Sequence, residues 1–146
     1  MDTRRKIVAV LFILIAVGFG VYFYTQIDFP TGLNAYFEKA FYGQFGPLAI
    51  CVELFIAGLM VYRKKPKVNF TLALFAFTII ADVIFNMAGV FTSSIPLVGV
   101  IVLSGCGLAA LYMAFTNAFN LGKISWLNAI GSFILGTLVD LFFNYF

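Results

Sequence analysis

The chain contains no histidine and only two cysteines, Cys51 and Cys106. Both cysteines lie inside apolar runs and neither belongs to a CxxC pair. Histidine-based acid/base catalysis, structural zinc and thiol-disulfide exchange therefore lack their usual residues. The expected state of the two thiols is free and buried in helix contacts, because a free cysteine packs as a small hydrophobe. Charge is also scarce. Only 10% of the 146 residues are charged, against roughly 25% in ordinary soluble domains, and no water-soluble surface can be built from so few. Phosphate-binding loops, nucleophile elbows and zincin motifs are missing, so the sequence points away from an enzyme and implies no cofactor and no metal. Without polar linkers or low-complexity tails, residues 1–146 read as a single polytopic membrane domain.

What is present is mostly apolar, 63% of the chain. Hydrophobic stretches fall near 7–24, 46–62, 68–91, 97–119 and 124–146. Each approaches the roughly 20 residues needed to cross a hydrocarbon core of about 30 Å. The expected fold is all-α, an integral membrane bundle of five transmembrane helices. The first stretch follows the basic start Met1-Asp2-Thr3-Arg4-Arg5-Lys6 in the manner of a signal peptide, but it is long enough to span and is read as the first helix. Pro47 and Pro96 mark helix starts, where a missing N–H costs nothing. Arg63-Lys64-Lys65-Pro66-Lys67 separates the second stretch from the third, and Asn120-Leu121-Gly122-Lys123 the fourth from the fifth.

Basic loops resist translocation, so the side that holds Lys and Arg is expected in the cytoplasm. With five spans, eight of the nine basic residues share the N-terminal side: Arg4, Arg5, Lys6, Arg63, Lys64, Lys65, Lys67 and Lys123. Only Lys39 falls outside. Removing a span would put Lys123 or the RKKPK loop on the wrong side, so the count supports five spans as well as the direction. The expected location is a bacterial-type inner membrane, with the N-terminus cytoplasmic and the C-terminus outside. Arg63, Lys64, Lys65 and Lys67 are expected to touch anionic lipid. The net charge of +3 is too small and too local for a nucleic-acid surface.

Between the first two spans, Leu33, Tyr36, Phe37, Phe41 and Phe45 recur at helical spacing with Asn34, Glu38 and Gln44 between them, which predicts a short amphipathic helix over 33–45 on the outer interface. Tyr22, Phe23, Tyr24, Phe91, Phe142, Phe143, Tyr145 and Phe146 form an outer aromatic belt, with Tyr62 and Trp126 as inner counterparts.

Three acids lie inside spans, Glu53, Asp82 and Asp140, and no basic residue accompanies them there. An ionised acid near the bilayer centre costs about 2.5–3.5 kcal/mol, and protonating one at neutral pH costs roughly 4 kcal/mol. The two costs are comparable, so either charge state is accessible. Asp82-Val-Ile-Phe-Asn86 matches Asp140-Leu-Phe-Phe-Asn144, each placing an acid and an amide on one helix face. The match implies a parallel repeat of two hairpins with two similar polar sites, while the overlapping depths of the three acids also allow one shared site. Glu53, Asp82 and Asp140, with Asn86 and Asn144 orienting the carboxyls, are the candidate ion- or proton-binding residues. The bland alternative is polar glue between helices. Small-xxx-small pairs at Gly105/Ala109 and Ser132/Gly136 predict close helix packing, within or between chains.

These features support a small homo-oligomeric proton or cation channel or transporter. The alternative is a non-catalytic membrane partner, such as a complex subunit, a bacteriocin-immunity or exclusion protein, or a membrane component of a defence system. A lipid-modifying enzyme with paired acids lacks a nucleophile and a metal set.

Overall fold

The computed structural model of the chain describes residues 2–92 and 95–144, and every regular element among them is helical. Tyr145, Phe146 and the side chain of Lys39 lie outside the described residues. Six α-helices occur in order: α1 (Asp2–Thr25), the short α2 (Lys39–Tyr42), α3 (Gly46–Arg63), α4 (Val68–Met87), α5 (Leu97–Phe115) and α6 (Trp126–Asn144). All but α2 belong to segments long and apolar enough to cross a membrane. Their exterior is apolar as well. Along α1, Ile7, Val10, Leu11, Leu14, Val17 and Val21 all face outwards, an arrangement water would penalise and hydrocarbon would not.

The long helices alternate in direction, so their ends gather into a basic end and an aromatic end. The basic end holds the start of α1, the 63–67 turn and the 116–125 turn. Lys64 takes a left-handed conformation (φ 52°), and Lys65 N–H bonds Met60 O at 3.0 Å. That bond closes α3 with a Schellman-type wrap just before Pro66. Arg5 does more than mark topology: it is buried and donates to the carbonyls of Val61 and, at 2.6 Å, Tyr62. A guanidinium there supplies a donor to carbonyls in the last turn of α3, where Val61 O also accepts from Lys64 N–H at 3.3 Å, and sits at the negative end of the helix dipole. Lys6 lies over the Tyr62 ring, 5.5 Å from its centroid.

Two expectations need correcting, and a third is narrowed. The stretch 33–45 is not one amphipathic helix but a 3-10 turn (Leu33–Phe37), the single turn α2 and a second 3-10 turn (Gly43–Phe45). Glu38 breaks it by adopting an extended backbone (φ −84°, ψ 147°). Gln44 instead ties the segment down, accepting from Asp28 N–H at 2.8 Å and donating to Asp28 O at 3.1 Å. Secondly, several span limits shift. α1 begins at Asp2, and α4 ends at Met87 rather than 91 because Gly89 takes φ +79° and Val90 N–H bonds Phe85 O at 2.9 Å, again a Schellman stop. α5 ends at Phe115 rather than 119, where Thr116 turns extended, and α6 starts at Trp126 and is described to Asn144. Thirdly, Gly105 and Ala109 do not pack within the chain. A Cβ at Gly105 would meet nothing within 4 Å, and Ala109 is exposed.

Helix α4 is the hub, packed against α3, α5 and α6, while α1 packs along α3. Three of these contacts depend on a missing side chain. A Cβ at Gly58 would sit 2.8 Å from Ile13 Cγ1 and 3.1 Å from Ala9 O on α1, and one at Gly107 would sit 2.8 Å from Ile79 Cγ2 on α4. At Gly136 a Cβ would lie 3.0 Å from both the N and the Oγ1 of Thr78 and 3.2 Å from Leu74 O. Gly107 packs within the chain and Gly105 does not, because two residues further along a helix is the opposite face. We expect Gly136→Leu to cost about 1–3 kcal/mol of stability through overpacking, and Gly105→Leu less than about 0.5 kcal/mol. Thermal unfolding in detergent micelles measures both, and equal losses would contradict the close α4/α6 approach.

Candidate functional site

Glu53, Asp82 and Asp140 come from α3, α4 and α6, each one to two turns in from the aromatic end. At 1.5 Å per residue, Glu53 lies about 10 Å from the start of α3, Asp82 about 8 Å from the end of α4 and Asp140 about 6 Å from the end of α6. Helical periodicity then defines two facing stripes. Leu74, Thr78 and Asp82 recur every four residues along α4, as do Ser132, Gly136 and Asp140 along α6. The missing side chain at Gly136 lets α6 approach Thr78. One turn nearer the aromatic end, that approach carries Asp140 into hydrogen-bonding contact with Asp82.

Both aspartates are only 2% exposed. Asn144 Nδ2 donates to Asp140 Oδ1 at 3.1 Å and to the Asp140 carbonyl at 3.0 Å. Asp140 Oδ2 is buried with no hydrogen-bond partner, and the other side-chain neighbour of Asp140 besides Asn144 is the Asp82 carboxyl. Two carboxylates repel, whereas a carboxylic acid donates to a carboxylate. The contact therefore exists as a bond only when the pair holds a proton. Asn86 lies exposed in the last turn of α4. The two matched motifs accordingly do not build two separate sites. Their acids meet in one, because α6 packs in parallel on α4 instead of completing a second hairpin with α5.

Glu53 reaches the same place from α3. It is half-buried, hydrogen-bonded to Thr78, and within Coulombic range of Asp140. Thr78 is wholly buried, and its Oγ1 also donates to Leu74 O at 2.8 Å. The Thr78 hydroxyl has one proton to donate, so Leu74 O and the Glu53 carboxyl share it as acceptors. The other Glu53 oxygen, Oε2, is buried without a hydrogen-bond partner.

Thr78 is the site residue that the charged-residue pattern overlooks. Its signal is spacing: Thr78 precedes Asp82 by one helical turn, as Gly136 precedes Asp140. Ser132 is fully buried one turn further from the aromatic end and donates to Ala129 O at 2.9 Å. Towards the basic end the core is closed by Val61, Leu72, Phe75 and Ala110, none of them measurably exposed. Among the described residues, no three of Asp, Glu and Cys are gathered closely enough to form a metal-ion shell. The chemistry available is that of carboxyl groups which exchange protons with one another or hold positive charge. No protein-family model, curated protein or solved structure matches the chain.

A shared proton has a vibrational signature. Infrared difference spectra at neutral pH should show the C=O stretch of a protonated, hydrogen-bonded carboxyl, altered by Asp82→Asn and by Asp140→Asn. Either amide variant should fold, since an amide N–H replaces the proton, whereas Asp140→Ala should cost about 1–3 kcal/mol by leaving buried partners unsatisfied. Absence of the band in the native protein would refute the shared proton.

Proposed function

We propose that the chain is a small polytopic protein of a bacterial-type inner membrane that takes up a proton or cation at Glu53, Asp82 and Asp140 and works as a homo-oligomer. One observation carries this reading: three carboxyl groups from three helices converge in an apolar bundle, with no basic residue within the long helices beyond their basic ends. Structural hydrogen bonding alone would be served more cheaply by Ser, Thr or Asn, since each ionised acid near the bilayer centre costs about 2.5–3.5 kcal/mol. The N-terminus is cytoplasmic on this reading, supported by the basic residues at the start of α1, in the 63–67 turn and at Lys123. The exposed turn of Arg63, Lys64, Lys65 and Lys67 suits anionic lipid headgroups.

A carrier fits the geometry better than a pore. The site lies near the aromatic end, and the core between it and the basic end is filled with apolar side chains. A transported charge would cross that layer by helix rearrangement or along an interface between copies. Proteoliposomes containing the protein should show proton or cation flux that falls at least tenfold in Asp82→Asn and in Asp140→Asn. Flux that both variants leave intact would remove the proposal.

The alternative, a non-catalytic partner within a larger membrane assembly, is favoured by one feature. Gly105 and Ala109 leave a smooth strip on α5 that no helix of this chain covers, and small residues let helices approach closely. Cross-linking from Gly105→Cys in native membranes separates the two. Homodimer bands are expected from the homo-oligomer, and bands to another protein alone would favour the partner.

A further inference from the structure

Phe45, which caps α3, and Leu48, Ala49, Val52 and Glu53 on it fall at successive helical spacings, so one face carries four apolar residues and then the carboxyl. α1 borders that face at Leu48, which lies 3.9 Å from where a Cβ of Gly20 would stand, and the rest of it is open at Val52. With Phe143 of α6 this face lines an open groove of about 510 Å³, within the 300–1,000 Å³ range of sites that hold a drug-sized molecule. At the aromatic end α3 and α6 come together, a Cβ at Gly46 lying 3.2 Å from Phe143 Cβ. Away from that junction they stand apart, and Val52 is half exposed on the outer surface. The groove therefore opens sideways, towards the bilayer on the proposed reading, and its only charged lining group is Glu53.

Behind Glu53 stand Asp82 and Asp140, so three acids face this point from α3, α4 and α6. α5 carries no charged residue, and the charges of α1 are all in its first turn at the basic end. The 2%-exposed Asp140 has one carboxyl oxygen that no amide or hydroxyl reaches, and Glu53 has another. Positive charge is thus the complement of the site. Its carrier is selected by the lining. A small metal ion needs a shell of six or more oxygens, which the apolar groove does not supply. A diffuse positive charge on an apolar body needs only a carboxylate and neighbouring aromatic faces, here Phe45 and Phe143.

We propose that the groove between α3 and α6 admits a lipophilic organic monocation, such as a substituted ammonium, sideways from the bilayer to Glu53, where it displaces a proton held by the three acids. This rests on reading the acids as a cation-accepting site and names the class of cation. The exchange balances: a carboxylic acid and the cation become a carboxylate–cation pair and one released proton.

Tetraphenylphosphonium is a suitable probe, being apolar, permanently charged and unable to donate a proton. The full-length protein in phosphatidylglycerol nanodiscs should bind it and release up to one proton per cation into weakly buffered solution. Glu53→Gln should weaken binding at least tenfold, as should Val52→Trp, which fills the groove. Unchanged affinity in both variants, or binding to the native protein without proton release, would overturn the proposal. Equal affinity in phosphatidylethanolamine nanodiscs supports a free organic cation. Binding suppressed there would identify the lipid amine as the occupant and overturn it. Proton flux is measured in parallel: flux that Asp82→Asn abolishes, in a native protein that does not bind the probe, removes the organic cation and leaves the proton path. Probe binding with proton release but without flux removes the proton path and leaves the binding site.

Discussion

Two aspartates in contact inside an apolar bundle impose a condition on everything around them. Their charges repel strongly where water is scarce, so the contact persists only while a proton or another positive charge lies between them. Asp82 and Asp140 meet because α4 and α6 run parallel and come close at Gly136, where the absence of a side chain lets α6 rest on Thr78. Two further contacts complete the site. Thr78 is presented to Glu53 from the turn below Asp82, and Asn144 closes over Asp140 from the turn above. A bulkier residue at 136 would separate the two aspartates, while the Asn144 contact stays within α6 and the Glu53 contact between α3 and α4.

The remainder of the bundle holds α4 in place and keeps the two ends different. α5 seats Gly107 against Ile79, and α1 seats Ala9 and Ile13 against Gly58 of α3, so each long helix has at least one glycine-mediated contact. Arg5 joins α1 to α3 by satisfying carbonyls at the end of α3. Charge is thereby concentrated at one end and the acids near the other, with Leu72, Phe75 and Ala110 between them. Such a layout confines polar chemistry to about one third of the helix length and leaves the middle dry. On the proposed reading, that dry layer is what makes the acids a station where charge is held instead of an open conduit.

Much of this was legible in the chain. The five apolar helices follow from runs of about 20 residues bounded by Pro47, Pro96 and the basic turns, because length and hydropathy act locally and need no partner. The ends were read less well where backbone conformation decides. Gly89 stops α4 through a left-handed residue that hydropathy ignores, and Glu38 splits the 33–45 segment although its aromatic spacing is helical. Spacing also could not tell which small residues pack within the chain. Ser132 and Gly136 lie at the α4 interface while Gly105 and Ala109 face out, two sets with the same signature.

By itself the sequence determined that five helices are long and apolar enough to cross a membrane, that basic residues collect on one side, and that three acids are buried without basic partners. Each of these depends on composition along one helix and on the number of helices. Only the tertiary structure decided that the acids form one site. Asp82 and Asp140 are 58 residues apart, and their meeting depends on which helix α6 chooses as neighbour. Packing on α5 would have kept the matched motifs as two separate sites; packing on α4, permitted by Gly136, made them a pair. Neighbour choice is set by the fit of whole helix surfaces, a property that no single helix carries.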